Sequence, residues 1–215
     1  MDGIIFADLA IGGSGTWSST NSSTFSYSAV TSGLKSYYIS NDSYTDSTWG
    51  THPVISPVSG TSGTDRFYIM TLTDYESTEC YWYKSASGNM SDYSSYTSTA
   101  FGKGKENTTN MITKWNASGY GTQDSNDMWK LIQTKVNAGW FVPSKDEWSA
   151  FGKTLGITTS NYSSTYKLQK WYWSSSQYYT ADVWYTGFSG GGMFGEGMRF
   201  CDVRNTNYVR LAATF

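Results

Sequence analysis

The side chains best suited to chemistry are few and widely separated in this chain. His52 is the single histidine, and the two cysteines, Cys80 and Cys201, are distant in sequence. Nucleophilic catalysis would need a histidine beside a serine or cysteine, but His52 adjoins Pro53 in a turn-like stretch typical of a surface histidine. One histidine and two distant cysteines do not make a structural zinc site. We therefore expect free thiols and no catalytic residue, metal or cofactor.

Two other motifs have the residue types of ion sites. Gly102-Lys-Gly-Lys105 precedes a helical pattern, where backbone N–H groups can hold an anion. It lacks the spacing of a phosphate-binding P-loop, so the sequence favours a solvated loop. Asp124 and Asp127 are predicted at a helix start, and a calcium site is left open there.

Composition limits the classes of partner. The chain has 215 residues, 18% aromatic and 15% charged residues, and a net charge of -2. So small a charge gives no long-range field for nucleic acid or an anionic membrane. No apolar stretch approaches membrane-spanning length. We expect one domain, residues 1–215, without nucleic-acid binding or membrane insertion.

The elements that position these residues change in character near Phe101. Residues 1–100 are rich in β-forming residues, and the segments 66–73 and 79–84 are predicted to form a hairpin. A short apolar strand is predicted at 140–142. With the helices that follow Phe101, this order indicates an α+β fold.

Three helices are predicted after that boundary. They span 108–116, 125–138 and a segment that starts after Pro143. Ser144 and Glu147 have the spacing of a capping box, which makes the third start the best defined of the three.

The last 45 residues have a different pattern. Residues 171–176 form an aromatic strand, and 208–215 form a closing strand with Val209 and Leu211 at alternate positions. Between them lies a run of Gly, Ser, Tyr, Phe, Asp, Asn and Arg without a helical period. This run is either a glycine-rich loop or irregular hairpin, or a binding face, since antibody-like paratopes use the same residue types.

Three motifs resemble one protein family. They are Gly139-Trp-Phe-Val-Pro-Ser-Lys-Asp-Glu-Trp148, Tyr172-Trp-Ser-Ser-Ser176 and Tyr208-Val-Arg-Leu211, with the chain ending at Phe215. Their order resembles the variable proteins of diversity-generating retroelements of phages and bacteria. The resemblance covers residues 101–215. It implies a C-type lectin fold, related to formylglycine-generating enzymes, with two main helices and a β-rich N-terminal elaboration.

The resemblance also implies which residues vary. In that family an error-prone reverse transcriptase randomises adenines, mostly in Asn codons, so Lys, Glu, Gln, Met and Trp are not produced. Within 185–208 only Met193, Glu196 and Met198 are of those types. Trp184, Phe188 and Val209 are expected as apolar anchors. The expected variable, ligand-facing set is Tyr178, Tyr179, Asp182, Tyr185, Gly187, Ser189, Gly190, Gly192, Phe194, Gly195, Gly197, Arg199, Phe200, Cys201, Asp202, Arg204, Asn205 and Asn207.

The function implied is non-enzymatic binding of a protein or glycan on a host-cell surface, from a phage tail or a bacterial surface. Tyr185, Phe194 and Phe200 are expected to contribute most of the binding energy, because large rings dominate binding hot spots. Two alternatives remain open. One is a structural virion or cell-surface domain without diversification. The other is an oxidase of the formylglycine-generating type, which would need Cys80 and Cys201 to meet.

Overall fold

The fold is taken from a computed structural model, which describes residues 3–18, 21–189 and 196–215. The chain is a mixed α+β protein, as predicted. A short 3₁₀ helix covers Lys84–Ala86. The helices are α1 (Tyr93–Tyr96), α2 (Gly104–Asn116), α3 (Met128–Leu131), α4 (Gln133–Asn137) and α5 (Lys145–Thr154). The strands are β1 (Gly3–Asp8), β2 (Gly13–Trp17), β3 (Ser23–Tyr27), β4 (Tyr37–Asp46), β5 (Gly50–Pro57), β6 (Phe67–Thr71), β7 (Cys80–Tyr81), β8 (Trp171–Gln177), β9 (Asp182–Gly187), β10 (Gly197–Asp202), β11 (Thr206–Asn207) and β12 (Ala212–Thr214).

Two antiparallel three-stranded sheets organise these elements. In one sheet β6 lies between β1 and β12, so the first and last described strands share a neighbour. In the other, β9 lies between β8 and β10. Three two-stranded pairs, β2–β3, β4–β5 and β7–β11, complete the pattern. The β1–β6–β12 sheet and the β7–β11 pair therefore join strands that are distant in sequence.

Two apolar clusters lie on opposite faces of the sheets. Neighbouring residues of a strand point to opposite faces, and Tyr172 and Trp173 of β8 enter different clusters accordingly. The cluster with Trp173 also contains Trp82 and Trp129, and the other contains Trp148 of α5. Two buried indole N–H groups donate to backbone carbonyls: that of Trp173 to Cys80 and that of Trp148 to Trp173.

The N-terminal strands pack on α5. The Trp17 side chain is buried and its indole N–H donates to the Ile157 carbonyl at 2.9 Å. A Cβ atom at Gly152 of α5 would lie 2.2 Å from Trp17 Cε2. Phe6 of β1 meets Phe151 edge-on, with ring centroids 5.7 Å apart. The β-rich first part of the chain thus supplies one side of the cluster around α5.

The predicted capping box at the start of α5 is confirmed. Ser144 accepts from the Glu147 N–H, and Glu147 Oε2 accepts from the Ser144 N–H at 2.6 Å. Gly156, with φ +62°, follows the end of the helix. A left-handed residue is a common helix stop, and glycine adopts that conformation without strain.

The predicted helix 125–138 is wrong as one helix. It begins three residues later, at Met128, and is divided into α3 and α4. The Tyr75 hydroxyl donates to the Leu131 carbonyl at 2.8 Å, and the Lys135 N–H bonds to Ile132 instead. A side chain distant in sequence therefore contacts the chain at the point where α3 ends. The two main helices are α2 and α5.

Other predicted boundaries also change. The helix predicted at 108–116 begins four residues earlier, at Gly104. The hairpin of 66–73 with 79–84 is wrong, because β6 pairs with β1 and β12 while β7 pairs with β11. Residues 140–142 make a single bridge, Phe141 to Ala212, rather than a strand. The closing strand is limited to β12, although Val209 and Leu211 are both buried.

Candidate functional site

An exposed aromatic cluster lies on the β8–β9–β10 sheet. It consists of Tyr178, Trp184 and Phe200, and it keeps this name below. Trp184 and Phe200 are directly opposite each other on β9 and β10. The Tyr178 and Phe200 rings stack at 4.0 Å between centroids with 19° between planes, and Trp184 meets both edge-on. Phe200 is 50% exposed and Tyr178 39%.

The sheet is fixed from both sides around this cluster. On the reverse face Val183 is buried, and Tyr185 and Cys201 pack against the same core cluster. On the cluster's own face, α5 packs against β8, β9 and β10. The Lys145 ammonium lies 5.3 Å from the centre of the Trp184 ring. The exposed rings are therefore held by a rigid support, which suits recognition because little ordering is needed on binding.

The residues predicted to face a ligand divide into four groups. The exposed members are Tyr178, Tyr179, Phe200, Arg204 and Asn205. The half-buried members are Asp182, Tyr185, Ser189, Arg199, Cys201 and Asp202. The buried members are Gly187, Gly197 and Asn207. Gly190, Gly192, Phe194 and Gly195 lie outside the described residues.

The buried group is not on the exposed surface, contrary to expectation. Gly197 has φ +135°, and a Cβ atom there would lie 2.5 Å from the Asn21 carbonyl oxygen. Asn207 is in β11, paired with Cys80 of β7. Gly187 is buried beside Trp171. These positions belong to the support rather than to the exposed surface.

The expected anchors and hot-spot rings are only partly as predicted. Phe188 and Val209 are buried, in accord with anchor roles. Trp184 is half-buried and forms part of the exposed aromatic cluster. Tyr185, expected to contribute strongly to binding, packs against the core on the reverse face. Trp184 and Tyr185 thus have the opposite of their expected positions. They are neighbours on β9, and adjacent residues of a strand point to opposite faces.

A groove of about 370 Å³ borders the aromatic cluster. Its lining consists of Gln177, Tyr178 and Trp184 from the C-terminal sheet and its end, and of residues of the segment 93–99. This segment consists of α1 and the three residues that follow it, and the sequence analysis did not identify it. The aromatic–serine pattern of Tyr93-Ser-Ser-Tyr96 resembles paratope composition and was the available signal.

Hydrogen bonds pin the segment 93–99 to the end of β8. The Gln177 N–H donates to Thr97 Oγ1 at 2.9 Å, and Thr97 Oγ1 donates to Gln177 Oε1 at 3.2 Å. The Ser98 carbonyl accepts from Asn107 Nδ2 and from Ser176 Oγ. The groove is therefore preformed on both sides.

Two carboxylates border the aromatic cluster. Asp182 and Asp202 are opposite each other in the β9–β10 register. Burial, with the neighbouring Asp202 charge, raises the pKa of Asp182. Burial also opposes ionisation of Asp202, but hydrogen bonds from Arg204 and Ser87 hold its pKa below the usual value. Arg204 Nη2 lies 2.8 Å from Asp202 Oδ2. These hydrogen bonds favour the ionised form of the Asp202 carboxyl.

The two cysteines are free thiols, as predicted, and lie on either side of Asn207. Cys80 Sγ donates to the Asn207 carbonyl at 3.7 Å, and Asn207 Nδ2 donates to Cys201 Sγ at 4.0 Å. Burial raises the pKa of each thiol to about 12. Since the thiolate is the nucleophile and metal ligand, this environment disfavours thiol chemistry at neutral pH.

The other candidate residues have structural contacts. His52 is exposed, and its Nε2 contacts the Trp49 carbonyl. Asp127 is buried, and its carboxylate accepts from the Lys84 N–H, the Asp124 N–H and the Trp115 indole. Within the ranges that the structure describes, no group of three or more His, Cys, Asp or Glu side chains is arranged to hold a metal.

The Gly102-Lys-Gly-Lys105 motif is only partly the predicted solvated loop: Gly102, Lys103 and Lys105 are exposed, but Gly104 is buried and begins α2. The Gly102 and Gly104 N–H groups donate to Glu147 Oε1 at 3.1 and 3.3 Å. The motif therefore binds an acidic group, but that group is the chain's own Glu147 side chain. Glu147 is fully buried; burial raises its pKa to about 7, and the backbone donors of Ser144, Gly104 and Gly102 limit the rise.

Comparison with known proteins does not assign the chain to a family. No protein-family model and no curated protein sequence matches the chain. Among solved structures, the chain is similar to a fimbrial protein from Bacteroides ovatus ATCC 8483, with a TM-score of 0.46 and 15% identity. The match covers 70% of this chain but only 36% of that protein. A TM-score below 0.5 does not establish a common fold. Among the described residues, no helix has the length and apolarity needed to cross a membrane.

Proposed function

We propose that this chain is a non-enzymatic ligand-binding protein whose C-terminal surface is diversified by a retroelement. The observation that supports this most is the exposed aromatic cluster on a sheet whose reverse face is part of the core. Large exposed rings on a rigid support are the usual centre of a binding hot spot. The support tolerates exchange of the exposed side chains, because substitutions away from the core change stability little.

The proposal includes the C-type lectin fold and display at a virion or bacterial surface, both of which follow from the sequence resemblance. The α+β order and the return of the final strand to the first sheet are compatible with that fold. A structural domain without diversification is the main alternative, since the aromatic cluster could also pack on a neighbouring subunit.

Sequencing the gene's 3′ end and its flanks in many isolates tests the proposal. We expect a template repeat that differs almost only at adenines, beside a reverse-transcriptase gene. Variation should occur at exposed residues such as Tyr178, Tyr179 and Phe200 and be absent at Gly197 and Asn207, which are buried. An unvaried 3′ end without a template would reject diversification and favour the structural alternative.

A further inference from the structure

The groove beside the aromatic cluster has an uncharged lining. None of the side chains that line it carries a charge: they are hydroxyls, one amide and aromatic rings. Ser94 and Thr99 are exposed, and within the described ranges their hydroxyls take part in no hydrogen bond. These two hydroxyls are available to a ligand that carries hydroxyl or amide groups.

The backbone of the segment 93–99 offers little to a peptide strand. The Ser98 N–H donates to Asn107 Oδ1, and its carbonyl already accepts two hydrogen bonds. The Thr99 carbonyl accepts from the Asp146 N–H. A peptide that extended a sheet here would need free main-chain groups. The available contacts are side-chain hydroxyls and ring surfaces instead.

Ring surfaces and hydroxyls together match the two kinds of surface on a sugar. The face of an aromatic ring carries partial negative charge, and the C–H groups on one face of a pyranose carry partial positive charge. The hydroxyls on the sugar's edge can bond to Ser94, Thr99 and Gln177. Among the described residues, the lining supplies no charged side chain to pair with a carboxylate or sulfate, and Lys145, which lies over the Trp184 ring, is already paired with Asp146 at 3.0 Å.

We propose that this groove binds a neutral glycan between the aromatic cluster and the segment 93–99. This inference rests on the proposed function and names its ligand class. It also assigns part of the site to residues outside the diversified run, so that the segment 93–99 is a constant wall opposite a variable one. The volume of about 370 Å³ lies within the range of small-molecule sites.

A glycan array with neutral, sialylated and sulfated oligosaccharides, probed with the labelled full-length chain, tests the ligand class. We expect binding to neutral oligosaccharides and none to the acidic ones. Binding only to acidic glycans would overturn the proposal, and so would a blank array. A protein ligand would appear as cell binding that survives periodate oxidation of surface glycans and is lost after protease treatment, and that result would also overturn it.

Paired variants test the two walls. Tyr178→Ala and the double variant Ser94→Ala/Thr99→Val should each lower affinity for the strongest neutral oligosaccharide of the array by about tenfold or more. Tyr38→Ala and Ser62→Ala remove an exposed ring and an exposed hydroxyl elsewhere, and should leave the affinity unchanged. Full affinity in the double variant would overturn the role of the segment 93–99.

The failure of this inference is distinguishable from failure of the proposed function. Diversification is read from the gene, so a template repeat with varied isolates stands even if no glycan binds. If the protein binds a neutral glycan through Tyr178 but its gene has no template repeat, diversification would be rejected. The proposal that the groove binds a neutral glycan would stand.

Discussion

The rings of Tyr178 and Phe200 stack face to face at 4.0 Å, although one residue follows β8 and the other lies on the edge strand β10. Both rings remain substantially exposed. Their contact joins two separate parts of the C-terminal run into one surface. It gives that surface a defined shape without drawing either ring into the core.

Truncating this stack should have little effect on stability. We expect Tyr178→Ala or Phe200→Ala to lower the free energy of unfolding by no more than about 1 kcal/mol, because an exposed aromatic pair adds little. Phe188→Ala is the control: this ring is fully buried, so its removal should cost about 3–5 kcal/mol. Guanidinium unfolding curves give the values. A loss in Phe200→Ala as large as in Phe188→Ala would show that the cluster belongs to the core.

Gly152→Ala should destabilise the protein, although this change usually favours a helix by roughly 0.5–1 kcal/mol. The new methyl group would lie 2.2 Å from Trp17 Cε2, and the indole is tied to Ile157. Overpacking of this kind costs about 1–3 kcal/mol. Thermal melts measure the change, with Thr154→Ala at an exposed position of the same helix as the control. A rise in melting temperature for Gly152→Ala would contradict the packing described.

Glu147 should make stability depend on pH near neutrality. Burial raises its pKa in the folded protein to about 7, above the ordinary value of 4.5. The folded state therefore holds this proton more tightly than the unfolded state. The stabilisation is fully present below pH 4.5 and is lost as the pH rises through 7. The free energy of unfolding should fall by about 3 kcal/mol across this window.

The variant Glu147→Gln isolates this effect. It loses a hydrogen-bond acceptor and should be less stable at every pH, but it should lack the decline between pH 5 and pH 7.5. Urea unfolding at several pH values measures both slopes. Equal slopes in wild type and variant would assign the decline to other groups.

The two thiols should react slowly in the native protein. Burial raises the pKa of Cys80 and Cys201 to about 12, compared with about 8.5 for a free cysteine. At pH 8 the thiolate fraction is lower by about three orders of magnitude. Native protein should resist a disulfide reagent such as Ellman's reagent, and two thiols should appear on unfolding. Rapid native reaction would revive the oxidase alternative.

Local patterns predicted the parts of the fold that depend on near neighbours. The capping box of Ser144 and Glu147 and the aromatic strand β8 are both in place. The division of the predicted helix at Ile132 was not apparent from local periodicity, and the Tyr75 hydroxyl that contacts the Leu131 carbonyl there is 56 residues away. The hydrogen bond from the Gly104 N–H to Glu147 also joins residues that are distant in sequence, 43 positions apart, so local patterns could not predict it.

The candidate site was predictable to a similar degree. The family resemblance placed Tyr178, Tyr179 and Phe200 at the surface, where they lie. It made Trp184 an anchor and Tyr185 a ligand-facing ring, the reverse of what the structure shows, because the strand register decides which face each side chain is on. The segment 93–99 was missed because only the fold places it next to Tyr178.

The seating of the Trp17 indole over Gly152 also limits how this chain could be recombined with others. A chimera that kept residues 101–215 and took its opening strands from another protein would need a flat aromatic group of the same shape at this one place. Without it, the glycine would leave a void beside α5. The opening strands and α5 can therefore be exchanged only as a matched pair.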